Sequence, residues 1–121
     1  MMARGHVYVD PNWLKGERFD QKLAVVRATG ARHGSIRFVT GMLDLMKSRS
    51  DFLEAARRFT EPILVLYGAA TPRRSKAEMH ALAALPNVRA VELRSGKLGV
   101  HEEFPNEVAE VVRSFLEGRV D

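Results

Sequence analysis

The chain has 121 residues, of which 45% are hydrophobic and 28% charged, with a formal net charge of +4 at pH 7. These values fit one soluble globular domain. The absence of cysteine excludes disulfides and Cys-ligated zinc and agrees with a cytoplasmic protein. No stretch reaches the roughly 18 apolar residues of a membrane span, and the basic residues are too thinly spread for a nucleic-acid site. We therefore expect neither a membrane nor a nucleic acid as partner.

The first half of the chain, residues 1–60, has the pattern of helices. Apolar residues recur at helical spacing from Asp20 to a stop at Gly30. Ser48 and Ser50 are candidate caps of a later helix. Two helical stretches are predicted after Gly30. The apolar positions of the first are Ile36, Val39, Leu43 and Met46, and those of the second, which Ser48 or Ser50 would cap, are Phe52, Ala55, Ala56 and Phe59.

Near the N-terminus, residues 6–9 (His-Val-Tyr-Val) predict either a short strand or an extended arm. Tyr8, Pro11 and Trp13 are expected to form an apolar lip there. Such a lip would shape a pocket or pack against a partner.

The second half, residues 61–121, alternates strand and helix. The continuous apolar run Ile63 to Tyr67 is typical of a buried parallel strand. Ser75 and Glu78 have the spacing of a capping box, which predicts a helix running to about Leu85. The next strand is expected at Val88 to Leu93.

A final helix is predicted from Pro105, with Gly118 as its C-cap. Its expected buried residues are Val108, Val111, Val112, Phe115 and Leu116. The fold class is therefore α/β, with a short parallel sheet of two or three strands flanked by helices. So small a sheet leaves an apolar edge, which predicts that another chain covers it, most simply a second copy.

The order of elements in residues 61–121 resembles the end of the α/β-hydrolase fold. A buried strand ends in Tyr67-Gly68, a helix and a second strand follow, and the turn His101-Glu102-Glu103-Phe104-Pro105 leads into the last helix. The helical residues 1–60 are similar to the lid of that family. The resemblance implies a catalytic triad whose nucleophile lies on a Gly-x-Ser-x-Gly elbow. The chain lacks this elbow, because Gly34-Ser35 is followed by Ile36.

The resemblance also implies positions for the other two triad members. The family's Gly-x-x-Asp-Pro turn matches residues 68–72 here, so Thr71 stands where the acid would be. The position of the histidine is occupied by Leu98. His101, three residues further on, is either a surface histidine near a helix N-terminus or a displaced general base. Ser95 is the loop serine nearest to it in sequence and a weak candidate nucleophile.

A possible ligand site follows the first strand, because ligands of open α/β sheets bind beyond the carboxyl ends of the strands. A helix N-terminus with nearby arginines can bind a small anion there, through Thr71, Arg73, Arg74 and Ser75. The alternative is a capped helix beside solvated arginines. The four histidines lack the spacing of a metal site, and no cofactor is expected.

Two functions remain open. The first is a non-catalytic assembly or binding module on a hydrolase-like scaffold. The second is a hydrolase of small esters, with a relocated site built from His101, Ser95 and Glu102 or Glu103, or completed by another polypeptide.

Overall fold

A computed structural model describes residues 6–31, 33, 37, 40–41 and 46–118. The chain is a mixed α/β protein in which helices flank a parallel sheet of two strands. Its elements are α1 (Glu17–Arg27), α2 (Arg49–Arg58), β1 (Ile63–Gly68), α3 (Arg73–Ala83), β2 (Val88–Leu93), α4 (Val100–Glu103) and α5 (Pro105–Leu116). None of the described helices is long and apolar enough to cross a membrane.

The sheet pairs β1 with β2 in parallel, in a register that runs from Ile63 opposite Val88 to Gly68 opposite Leu93. The crossover between them is α3, as predicted. The buried core joins both strands to the end of this crossover through Val65, Tyr67, Leu85 and Val88. Half-buried side chains of α2 and α3 complete it: Leu53, Ala56, Met79 and Leu82. The helix α2 thus packs on the same core as the sheet.

The carboxyl ends of the two strands are pinned together by backbone contacts. The Ala69 N–H donates to the Leu93 carbonyl at 2.9 Å, and the Ala70 N–H donates to the Gly96 carbonyl at 3.0 Å. Gly68 lies so close to Gly96 that a Cβ atom there would overlap the Gly96 carbonyl. Gly96 itself has a φ of 102°, which favours glycine. The loops that follow the two strands are therefore held in fixed relative positions.

The start of α3 differs from the prediction. Pro72 is the N-cap residue and the helix begins at Arg73, so Ser75 is already helical and makes no cap hydrogen bond. The predicted Ser75–Glu78 capping box is therefore wrong. The physical reason is that the proline ring fixes a φ suited to helix entry one turn earlier.

The start of α2 decides between the two candidate caps. The Ser48 hydroxyl accepts a hydrogen bond from the Asp51 N–H at 3.1 Å, which confirms Ser48 as the N-cap. Ser50 lies inside the helix, and its hydroxyl is 2.8 Å from that of Ser48. Ser50 is therefore not a cap.

The last helix begins at Pro105 as predicted, but its C-cap is Glu117 rather than Gly118, which follows with a φ of 69°. Val108, Val111 and Phe115 are partly buried. The expected burial of Val112 and Leu116 is wrong, since they are 39% and 78% exposed. A sheet of two strands is too narrow to cover the whole apolar stripe of α5.

Residues 6–9 do not form a strand of the described sheet, which contains β1 and β2. His6 is helical and Val7 lies in a turn, so the extended arm is not found either, and this segment contacts the turn before α4 through the Val7 carbonyl. The helix predicted from Asp20 begins earlier, at Glu17. Ser35 and the apolar positions Ile36, Val39 and Leu43 lie outside the described residues.

Candidate functional site

Thr71 lies in the loop that joins β1 to α3, at the carboxyl end of the sheet. The residue is only 6% exposed, and its Oγ1 atom is buried without a hydrogen-bond partner. Its N–H donates to the Gly68 carbonyl at 3.0 Å. A buried polar group without a partner costs about 1–3 kcal/mol, and threonine has no charge with which to orient an imidazolium.

A pocket of about 410 Å³ lies beside Thr71 and runs along one face of α3. Besides Thr71, it is lined by Arg73, Lys76, Ala77 and His80. Of the predicted anion ligands, Thr71 and Arg73 are therefore in the pocket wall. Arg74 and Ser75 are absent from that wall, since residues one and two positions along a helix point to other faces.

The sequence-based prediction missed Lys76 and His80, although their spacing from Arg73 is the helical i, i+3, i+7. Lys76 has two polar contacts, since its Nζ is 2.8 Å from a Glu92 carboxylate oxygen and 3.2 Å from the Ala69 carbonyl, and it also lies 6.0 Å from the Tyr67 ring centre. His80 packs edge-on against the Tyr67 ring, with centroids 6.0 Å apart. The pocket therefore has two cationic groups, Arg73 and Lys76, in the first turn of its helical wall.

A second polar cluster surrounds Glu102 on α4. The Tyr8 hydroxyl donates to Glu102 Oε2 at 3.1 Å, and Lys22 Nζ donates to Glu102 Oε1 at 2.7 Å. Burial acts to raise the pKa of Glu102, but the hydrogen bonds from Lys22 and Tyr8 and the nearby positive charge outweigh it and lower that pKa. Glu102 is therefore an ionised anchor for residues of the N-terminal segment.

The neighbouring Glu103 binds the backbone of the same segment. Its two carboxylate oxygens accept the Val9 N–H at 2.8 Å and the Asp10 N–H at 2.9 Å. The Gly99 N–H donates to the Val7 carbonyl at 2.7 Å. We call the contacts of residues 7–22 with residues 99–103 the arm clasp. Its residues are 80–94 positions apart in sequence.

Aromatic contacts within residues 7–22 hold together the N-terminal side of the arm clasp. Tyr8 is 4% exposed, and Trp13 stacks on it with ring centroids 4.3 Å apart. The Arg18 guanidinium lies 4.7 Å from the Trp13 ring centre, within the range of a cation–π contact. Burial, followed by the charge of Glu102, raises the pKa of Tyr8. The predicted apolar lip thus exists for Tyr8 and Trp13, whereas Pro11 is exposed.

The candidate general base His101 lies on the outside of α4, with its side chain 65% exposed. Its Nε2 is 3.6 Å from Glu102 Oε1, a contact that is an ion pair only when the imidazole is protonated. Ser95 is exposed in the loop after β2 and lines a different pocket of about 300 Å³, with Leu93, Arg94, Phe104 and Glu107. Among the described residues no hydrogen bond joins Ser95 to His101. Leu98, at the position that the resemblance gives to the histidine, is 41% exposed.

The residues that the structure describes contain no cluster of three or more His, Asp or Glu side chains that could hold a metal ion. No protein-family model matches the sequence, and no curated protein matches it.

Proposed function

We propose that the chain is a non-catalytic binding or assembly module on a scaffold similar to the C-terminal part of an α/β-hydrolase. The observation that carries this proposal concerns the two positions that the resemblance gives to the acid and the histidine. Thr71 is a buried uncharged residue and Leu98 a partly exposed apolar one. Neither side chain transfers a proton at neutral pH.

The glutamates near His101 also favour a structural role. A serine hydrolase needs a nucleophile, a base in contact with it and a group that orients the base. Both oxygens of Glu102 and both of Glu103 already accept hydrogen bonds from the N-terminal segment. A carboxylate that fixes a backbone arm is poorly placed to serve an exposed imidazole as well.

Two features support binding or assembly. The pocket along α3 lies beyond the carboxyl end of β1, which is where open α/β sheets bind their ligands. The helix α5 also leaves Leu116 78% exposed, an apolar surface suited to contact with a second copy of the chain.

The alternative is a hydrolase of small esters, and the observation in its favour is the approach of His101 to Glu102. Incubation of the purified chain with p-nitrophenyl acetate and with a serine-reactive fluorophosphonate separates the two functions. The proposal expects turnover no faster than that of serum albumin, no labelling and no change in His101→Ala. Loss of one member of a catalytic unit already removes on the order of 10⁴-fold in rate or more. A saturable rate well above albumin, abolished by His101→Ala or Ser95→Ala, would contradict the proposal.

A further inference from the structure

We propose that the pocket beside Thr71 binds a phosphate group, supplied by inorganic phosphate or by a small phosphate monoester. This inference rests on the proposed binding function and names the ligand chemistry of that module. It goes beyond the sequence-based anion site, because the structure replaces two of the four expected ligands.

The first line of support is the start of α3. The helix has 11 residues, and its N-cap residue Pro72 provides no side-chain cap. The first N–H groups of a helix have no partner within it and carry a partial positive charge, so an anion nearby is stabilised. Arg73 adds a full positive charge at the first helical position.

The second line of support, independent of the helix, is the hydroxyl of Thr71. It is buried without a partner in the wall of this same pocket. A hydroxyl can donate one hydrogen bond, and a ligand oxygen beside it would restore the bond that folding removed.

The charges of the pocket favour a phosphate over a carboxylate. The Lys76 ammonium has three N–H donors, and its two described polar partners, Glu92 and the Ala69 carbonyl, leave the third for a ligand. Donors then come from three sides: the Thr71 hydroxyl, the helix start with Arg73, and Lys76. A tetrahedral group with three terminal oxygens can meet all three, whereas a planar carboxylate has two oxygens.

The pocket is also larger than a phosphate ion needs. Its volume is about 410 Å³, and Ala77 and His80 line the part that is further along the helix. That part can hold the organic portion of a monoester. Inorganic phosphate and a phosphate monoester are therefore distinguished by whether this region contributes to binding.

The test is a titration of the full ¹⁵N-labelled chain followed by amide chemical shifts, at neutral pH and constant ionic strength. The probes are inorganic phosphate, phenyl phosphate and acetate. Saturable shifts confined to residues 69–80 are expected with both phosphates and not with acetate. Tighter binding of phenyl phosphate identifies a monoester as the ligand, and equal binding identifies free phosphate.

Arg73→Gln and Arg74→Gln form a matched pair, because both remove one exposed charge from the same helical turn and only Arg73 lines the pocket. We expect Arg73→Gln to weaken phosphate binding about tenfold, because it removes one charge-assisted hydrogen bond to the ligand. We expect Arg74→Gln to weaken binding by less than about twofold, because it removes only the general attraction of a nearby charge. Thr71→Val should weaken binding about fivefold, and Thr71→Ser should retain it. Thermal melts check that each variant is folded.

Three results would overturn the inference: no saturable shift with either phosphate, equal shifts with acetate, or equal losses in the two arginine variants. These outcomes are separate from the fate of the proposed function. Ester turnover tests whether the chain is an enzyme, and it does not depend on phosphate binding. Absence of both turnover and phosphate binding would remove this inference alone.

Discussion

The arm clasp can be tested with the substitution Glu103→Gln. The Glu103 carboxylate accepts two successive backbone N–H groups, from Val9 and Asp10, at 2.8 and 2.9 Å. Glutamine has nearly the same shape but only one oxygen. Its NH₂ group would face one of the two N–H donors, so one hydrogen bond is lost and the other becomes a neutral one.

The expected cost follows from these two bonds. A hydrogen bond to a charged group contributes about 1.5–3 kcal/mol when well formed, and the lower end applies because the Val9 and Asp10 amides are exposed. Loss of one bond and weakening of the other gives about 2 kcal/mol, or roughly 30-fold in the closed-to-open ratio of the arm. The core of β1 and β2 does not include Glu103, so the main effect should be local.

Two measurements check this expectation. Hydrogen exchange should show about 30-fold less protection at the Val9 and Asp10 amides, with little change at Val65 in the core. Trp13 is the only tryptophan of the chain, so its fluorescence reports directly on the arm. Glu110→Gln, on the exposed side of α5, is the matched control. Unchanged protection and unchanged emission in Glu103→Gln would refute the clasp as an energetic contact.

Three further predictions concern stability and assembly. Gly68→Ala should lower the free energy of unfolding by about 3 kcal/mol in urea melts, because its Cβ would overlap the Gly96 carbonyl, and a wild-type midpoint would contradict this. The pKa of Glu102 is lowered in the clasp, so its contribution to stability is complete above the usual value of 4.5 and is lost as pH falls. The pKa values of Tyr8 and Lys22 are raised, so their contributions are complete below the usual values of 10.0 and 10.5 and are lost as pH rises. Trp13 emission should therefore change as pH falls below 4.5 and as pH rises above 10.0; emission that is unchanged at both extremes would contradict this. Light scattering at micromolar concentration should give at least twice the mass of one chain, since Leu116 is left exposed, and a monomer would contradict the assembly prediction.

Local chemistry explains which elements could be predicted from the sequence. The strand at Ile63 is a short apolar run between Pro62 and Gly68, the strand at Val88 follows the helix-breaking pair Pro86-Asn87, and the last helix opens on Pro105, so each carries its own signal. The prediction of a capping box at Ser75 was wrong because Pro72 and Ser75, which lie within four residues of each other, are both residues at which a helix can start. The proline at position 72 took precedence over the serine.

The arm clasp could not be predicted in the same way. Tyr8 and Glu102 are 94 positions apart, and nothing in the sequence near either one indicates the other. Glycine at position 99 is explained only by the structure, where a Cβ would come within 2.7 Å of the Tyr8 ring. The pocket was predicted in part, because Arg73 follows Thr71 closely, whereas Lys76 and His80 required the helix to begin where it does.

The arm clasp also bears on how the turn motif should be interpreted. A turn that resembles the histidine loop of a hydrolase suggests chemistry when only the sequence is considered. In this chain its two glutamates bind a tyrosine, a lysine and two backbone N–H groups, and its glycine makes room for the tyrosine ring. Each of these residues has a structural reason to be present without a reaction. The unpartnered Thr71 hydroxyl has no such reason, because it contributes no described hydrogen bond to the fold. For that reason the pocket of α3, rather than the turn before α5, is the better place to look for a ligand.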